Sequence, residues 1–124
     1  MKYIIYIYIL FTTAPVYSQR AVFFAPNKSI KFPKTKEGEK LKYRYYVKNT
    51  GNAPLEFYGY DTECSCTEVK LPNNKIDPGK GDFIDVVFDT TGKYFFQDRI
   101  IYIAANTKRK REKLRLKVYV IPKD

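Results

Sequence analysis

Between Lys40 and Asn49 the chain reads KLKYRYYVKN, with Leu41, Tyr43, Tyr45 and Val47 at one parity and Lys40, Lys42, Arg44 and Lys48 at the other. Apolar and cationic residues alternating with period two point to a strand with one face on a core and the other in water. A helix would scatter the same apolar residues around its circumference. The stretch runs into Asn49-Thr50-Gly51-Asn52, where Asn and Gly supply turn conformations. Leu55 to Tyr60 then reads as the return strand.

The same reading extends along the chain. In Gly81 to Phe88, Ile84, Val86 and Phe88 face one way. Leu114 to Val120 places Leu114, Leu116, Val118 and Val120 on one face, with Arg115 and Lys117 on the other. Phe95 to Ala105 is apolar enough to be a central strand. Near the start, Ala21–Ala25 and Ser29–Phe32 are short apolar segments split by Pro26 and Asn27, the signature of a kinked edge strand. Lys34 to Glu39 reads as a polar turn, and a loop rich in turn formers runs from Pro72 to Gly81. About seven strands separated by turn signals predict an all-β, immunoglobulin-like antiparallel sandwich. At 124 residues there is room for one such domain.

The first 18 residues read as a signal peptide rather than as part of that domain. Lys2 gives a positive start, and Tyr3 to Phe11 is an apolar run too short to span a bilayer, which takes about 20 residues. Pro15 breaks the segment, and Val16 and Ser18 fit the −3 and −1 positions of a cleavage site before Gln19. No Cys follows the apolar run to carry a lipoprotein anchor. The expectation is a mature chain of residues 19–124 without a transmembrane segment, secreted or periplasmic, in an oxidising compartment. Cleavage would remove Lys2 from the net charge of +10 and leave +9.

Several separated motifs occur in an order that resembles a bacterial domain-of-unknown-function family, family 1573. They are Val47-Lys48-Asn49-Thr50-Gly51-Asn52, Pro54-Leu55, Cys64-Ser65-Cys66-Thr67, Ile76-Asp77-Pro78-Gly79, Val87-Phe88-Asp89-Thr90 with Gly92, and Ala105-Asn106. The resemblance spans about residues 30 to 121. It implies an exported Ig-like sandwich and, more distantly, a likeness to Ig-like domains of ciliary and major-sperm-protein type. It lends no activity. Two departures stand out. The family usually has Cys-Gly-Cys-Thr where Ser65 stands here, and a second Gly shortly after Gly92 where this chain has Tyr94, Phe95 and Phe96.

The sequence contains no His, which removes most hydrolytic triads and imidazole metal sites. Cys64 and Cys66 are the two cysteines, and in an extended segment they point to the same side. They admit three readings: small buried or disulfide-bonded structural residues, a redox-active pair in a tight ring, or a two-thiolate site for Cu(I). Two sulfurs alone do not make a structural zinc site. Lys108, Arg109, Lys110 and Arg111, followed by Lys113, Arg115 and Lys117, offer a surface for lipopolysaccharide phosphates or anionic lipid. The alternative is that they guard an edge strand against aggregation. Nucleic acid does not fit an exported protein. Asp77, Asp82, Asp85 and Asp89 follow no calcium-loop spacing. Tyr46, Tyr58 and Tyr60 are candidates for a binding face, and equally for ordinary strand residues. Together these features point to a non-enzymatic binding or scaffolding module of the cell envelope, with an envelope protein or a glycan as partner. The alternative is a thiol-redox or Cu(I)-handling protein.

Overall fold

A computed structural model describes residues 19–123; the expected signal peptide lies outside them. The described residues form nine strands: β1 (Phe23–Phe24), β2 (Ser29–Lys31), β3 (Thr35–Lys36), β4 (Lys40–Asn49), β5 (Phe57–Thr62), β6 (Thr67–Lys70), β7 (Gly81–Asp89), β8 (Phe95–Ala105) and β9 (Arg111–Ile121). One sheet has the order β1-β4-β7-β6, the other β2-β9-β8-β5, with β3 also on β9. Among the described residues no helix is long and apolar enough to cross a membrane.

The alternating segments land as their patterns require. Tyr45 and Val47 of β4, Ile84, Val86 and Phe88 of β7, Ile101 and Ile103 of β8, and Leu114, Leu116, Val118 and Val120 of β9 are all buried between the sheets. Each fully buried aliphatic or aromatic side chain contributes about 1.5–3 kcal/mol relative to exposure. The Tyr45 hydroxyl reaches across the core and donates to the carbonyl of Arg115 at 2.7 Å. Burial, together with Tyr43 nearby, holds that phenol well above the ordinary tyrosine range.

Three expectations are corrected. The N-terminal apolar segments are not one kinked strand, because the chain changes sheets at Pro26. Phe23 and Phe24 pair antiparallel with β4, whereas Ser29–Lys31 and Thr35–Lys36 pair parallel with β9, the latter inside the supposed polar turn. Bonds from Arg115 N to Lys28 O (2.8 Å), from Phe32 N to Lys117 O (2.8 Å) and from Glu37 N to Ile121 O (2.9 Å) sustain that parallel edge. Next, β5 is not the return strand of β4. After a bridge between Leu55 and Ile76 it joins the opposite sheet and pairs with β8, with an irregularity between Phe57 and Gly59. Finally, β9 lies between β2 and β8, so its cations guard no edge. Among the described residues β4 is left open along most of one edge, since β1 covers only Lys48 and Asn49, while β6 and β5 end their sheets on the other side. Lys40, Lys42 and Arg44 stand exposed along the remainder, where charge discourages a second chain from pairing.

Asn49 also takes a different part from the turn residue its neighbours suggest. It is fully buried at the end of β4. Its Oδ1 accepts from the backbone N–H of Val22 (3.2 Å) and Gly51 (2.9 Å). Its Nδ2 donates to the carbonyls of Ala53 (2.7 Å) and Ile76 (2.9 Å). One amide thus ties three separate segments at this end of the sandwich. Gly51 completes the tie, because a Cβ there would run into the carbonyl of Arg20.

Candidate functional site

Side chains that the sequence singles out fall at three places. Cys64 and Cys66 are joined as a disulfide in the loop that carries the chain from β5 in one sheet to β6 in the other, with Cα atoms 5.3 Å apart. Both are half-buried, and Cys66 packs against the core. The loop is pinned where the Thr62 hydroxyl donates to Cys64 O (2.9 Å) and the Asp89 N–H donates to Cys66 O (2.9 Å). Among described non-glycine residues only Phe95 and Lys110 have positive φ, so Ser65 does not need the conformational freedom of the glycine usual at its position. In this state the sulfurs have no thiolate to give Cu(I). Among the described residues no group of three or more metal-ligating side chains converges.

The basic quartet Lys108–Arg111 does not act as one patch. The hairpin turns at Lys110, whose φ is 64°, with Lys110 N bonded to Thr107 O at 3.0 Å. Arg111 lies on the outer face of β9, its guanidinium 4.2 Å over the Tyr102 ring and 3.9 Å from Asp61. Lys108 and Arg109 instead line a crevice of about 240 Å³ with Arg20 and Lys28. The four carboxylates have mostly local tasks. Asp82 accepts from the Phe83 N–H (2.7 Å), Asp85 pairs with Arg44 (2.8 Å), and Asp89 accepts from the Thr91 N–H (3.0 Å), which holds its carboxyl below the usual range. The carbonyl of Asp77 accepts from the Lys80 N–H at 3.0 Å. The three tyrosines are not brought together. Tyr46 stands on the outer face of its sheet, 5.5 Å from the ring of Phe83, whereas Tyr58 and Tyr60 lie on β5 in the other sheet.

The third place escaped the sequence reading. At the end of the sandwich where β8 begins, Tyr94, Phe95, Phe96, Tyr119 and Ile121 are all exposed, Phe95 and Phe96 by more than half. Phe96 and Tyr119 are direct cross-strand partners. Phe95 pairs with the buried Val120, and a regular strand would send its ring inward with that residue. Its φ of 65° breaks the alternation, and the ring comes to lie 6.2 Å from that of Tyr119 on the outside. Lys34 sits over the other partner, 5.6 Å from the Tyr119 centroid. A bulky residue in the left-handed region costs about 1–2 kcal/mol. This is the stretch where the family resemblance expects a second glycine. The signal in the sequence was that expected glycine's replacement by three consecutive aromatics.

A family model described as a protein of unknown function, DUF1573, matches residues 24–120. No curated protein matches the sequence. In fold the chain is similar to a protein of unknown function from Porphyromonas gingivalis W83, with TM-score 0.72 and 17% identity over 86% of this chain. It spans about half (51%) of that protein's length. It is also similar to an ASH/PapD-like domain of human CEP192, with TM-score 0.67 and 11% identity, covering 90% of this chain and 94% of that one. The Caenorhabditis elegans major-sperm-protein family member WR4 has TM-score 0.52 and 10% identity, covering 79% and 96% respectively. At such identities the likeness is one of fold.

Proposed function

This chain belongs to the DUF1573 family, described as proteins of unknown function, and we propose that it works as a non-enzymatic binding or scaffolding module of the bacterial cell envelope. The observation that carries this reading is the aromatic end: Tyr94, Phe95, Phe96, Tyr119 and Ile121 exposed together around a phenylalanine in a left-handed backbone. Contiguous exposed apolar surface on a small domain marks an interaction site. Backbone strain kept at such a place is a sign of selected geometry. Here the strain turns a ring outward that a regular strand would bury.

The groups with displaced titration fit a structural rather than a catalytic account. Tyr45 bonds across the core, Asp89 caps a turn, and Asp98 and Arg115 hold one another. Export is part of the proposal and rests on the character of residues 1–18 and on a disulfide that needs an oxidising compartment. The partner we assign to the aromatic end is an envelope protein. The test is affinity capture from envelope extract with the wild-type protein and with Phe95→Ser/Phe96→Ser. A discrete partner held by the first and lost by the second is expected. A reproducible failure to capture one, with a catalytic activity found in its place, would refute the reading.

A second reading, thiol redox exchange through Cys64 and Cys66, is favoured by a disulfide lodged in a loop between two half-buried residues. Alkylation after mild reduction separates the two. Loss of function on blocking these thiols, with the aromatic end intact, would favour the redox reading.

A further inference from the structure

The crevice at the opposite end of the sandwich assembles cations from parts of the chain that are far apart in sequence. Arg20 comes from the segment before β1, Lys28 from the sheet-switching turn before β2, and Lys108 and Arg109 from the β8–β9 hairpin. The backbone fixes each approach. Arg20 N donates to the Asn52 Oδ1 at 2.7 Å, and Arg20 O accepts from Asn52 N at 2.9 Å. Lys28 O accepts from Arg115 N at 2.8 Å, and Ala21 bridges to Thr107. Elsewhere Arg44, Lys75, Arg111 and Arg115 each have a carboxylate partner. Among the described residues none of the four crevice cations is ion-paired.

At the base of the crevice lies Glu112, buried at the inner position of β9 that faces Ile103, with its Oε1 accepting from the Thr107 hydroxyl at 2.9 Å. Four cations against one carboxylate leave the crevice strongly positive. Like charges held around one concavity repel, and an oxyanion relieves that repulsion while its oxygens accept from guanidinium forks and ammonium groups. A volume of about 240 Å³ holds a phosphate together with part of the group that bears it.

We propose that this crevice, framed by Arg20, Lys28, Lys108 and Arg109, is a binding site for a phosphate group carried on a phosphoester, either soluble or a lipid head group. Glu112 sets its selectivity: it keeps the hairpin in place through Thr107 and weakens the hold on small anions by its like charge. The site is separate from the aromatic end, so either can fail without the other.

The test is a titration of the purified protein at low ionic strength, followed by backbone amide shifts, with inorganic phosphate as one probe. Vesicles of phosphatidylglycerol, against phosphatidylcholine alone, are the other. Saturable shifts at residues 20–23, 28 and 107–109 are expected. Lys28→Ala/Arg109→Ala should weaken binding at least about ten-fold, whereas removing the same charge from the outer face of β9 with Lys113→Ala/Lys117→Ala should change it less than about two-fold. Glu112→Gln, which keeps an acceptor for Thr107, should tighten phosphate binding. Saturation by phosphate itself identifies a soluble phosphoester as the source, and retention only on phosphatidylglycerol identifies a lipid. Equal losses from the two double variants, or neither saturation nor vesicle retention, would overturn the proposal.

Discussion

Replacing Asn49 tests the packing of this domain at a polar side chain with four hydrogen bonds. Asn49→Ala removes four hydrogen bonds at a fully buried position. At a net contribution of about 1 kcal/mol each the sum is about 4 kcal/mol. The bonds to Val22, Gly51 and Ala53 lie in partly buried surroundings where water recovers some of the loss, whereas the Ile76 carbonyl loses one of its two donors in the interior and keeps the Leu55 N–H. The expected destabilisation is therefore about 2–4 kcal/mol. That is a large part of the roughly 5–15 kcal/mol that holds a domain together. For a domain of roughly 100 residues, 3 kcal/mol lowers the thermal midpoint by about 12–24 °C. Asn49→Asp separates shape from bonding, because it is nearly isosteric and keeps both acceptor contacts. It nevertheless points a carboxylate oxygen at the carbonyls of Ala53 and Ile76. Burial and those carbonyls raise the folded-state pKa of the new Asp above its unfolded value, so the folded state binds more protons. The variant's stability accordingly falls as pH rises from about 4 to 7, relative to wild type. The assay is urea denaturation of wild type and both variants at pH 4.5 and 7. Asn49→Asp matching wild type at pH 7, or a loss below about 1 kcal/mol for Asn49→Ala, would refute the reasoning.

Three further outcomes follow from the structure. Phe95→Gly relieves a left-handed conformation worth about 1–2 kcal/mol and gives back about 0.5–1 kcal/mol in unfolded-state entropy, so its thermal midpoint stays within a few degrees of wild type or rises. Phe95→Val, β-branched at the same φ of 65°, falls below both. The carboxyl of Asp98, held below its ordinary range by the two bonds from Arg115, stabilises above its unfolded pKa of about 3.9 and stops doing so as pH falls through the folded value. Asp98→Asn should then cost about 0.5–1 kcal/mol at pH 7 and converge with wild type in acid, read from denaturation midpoints. Tyr45→Phe removes the hydroxyl that donates to the Arg115 carbonyl across the core and costs about 1–2 kcal/mol in denaturant unfolding. In base, wild type should hold back one phenol from ultraviolet titration until it unfolds, since the stability tied to that neutral hydroxyl is lost as pH rises beyond about 10.

The long strands were legible because one face of each had to be buried. The alternation in Leu41–Val47 and Leu114–Val120 assigns every side chain to a face, and a register slip would expose the whole set. Pairing partners were less accessible. Ser29–Lys31 and Thr35–Lys36 are too short to carry a period, and nothing local says that the chain crosses sheets at Pro26 to run parallel to β9. The charge pattern of β9 suggested an exposed edge, when the N-terminal segment covers it. The site divides along the same line. Cys64 and Cys66 and the basic hairpin declare themselves by residue type. Arg20 and Lys28 join Lys108 and Arg109 only through topology. The outward turn of Phe95 was not legible, because alternation assumes regular backbone and the φ of 65° at Phe95 breaks it.

The most direct test of the aromatic end as the binding surface is site-specific photocrosslinking in cells. A photoreactive phenylalanine analogue placed at Phe96 should give one discrete higher-mass adduct, and the same analogue at Tyr46, on the outer face of the other sheet, should give none. An adduct of equal yield at Tyr46, or none at Phe96 in a correctly folded and exported protein, would contradict the account.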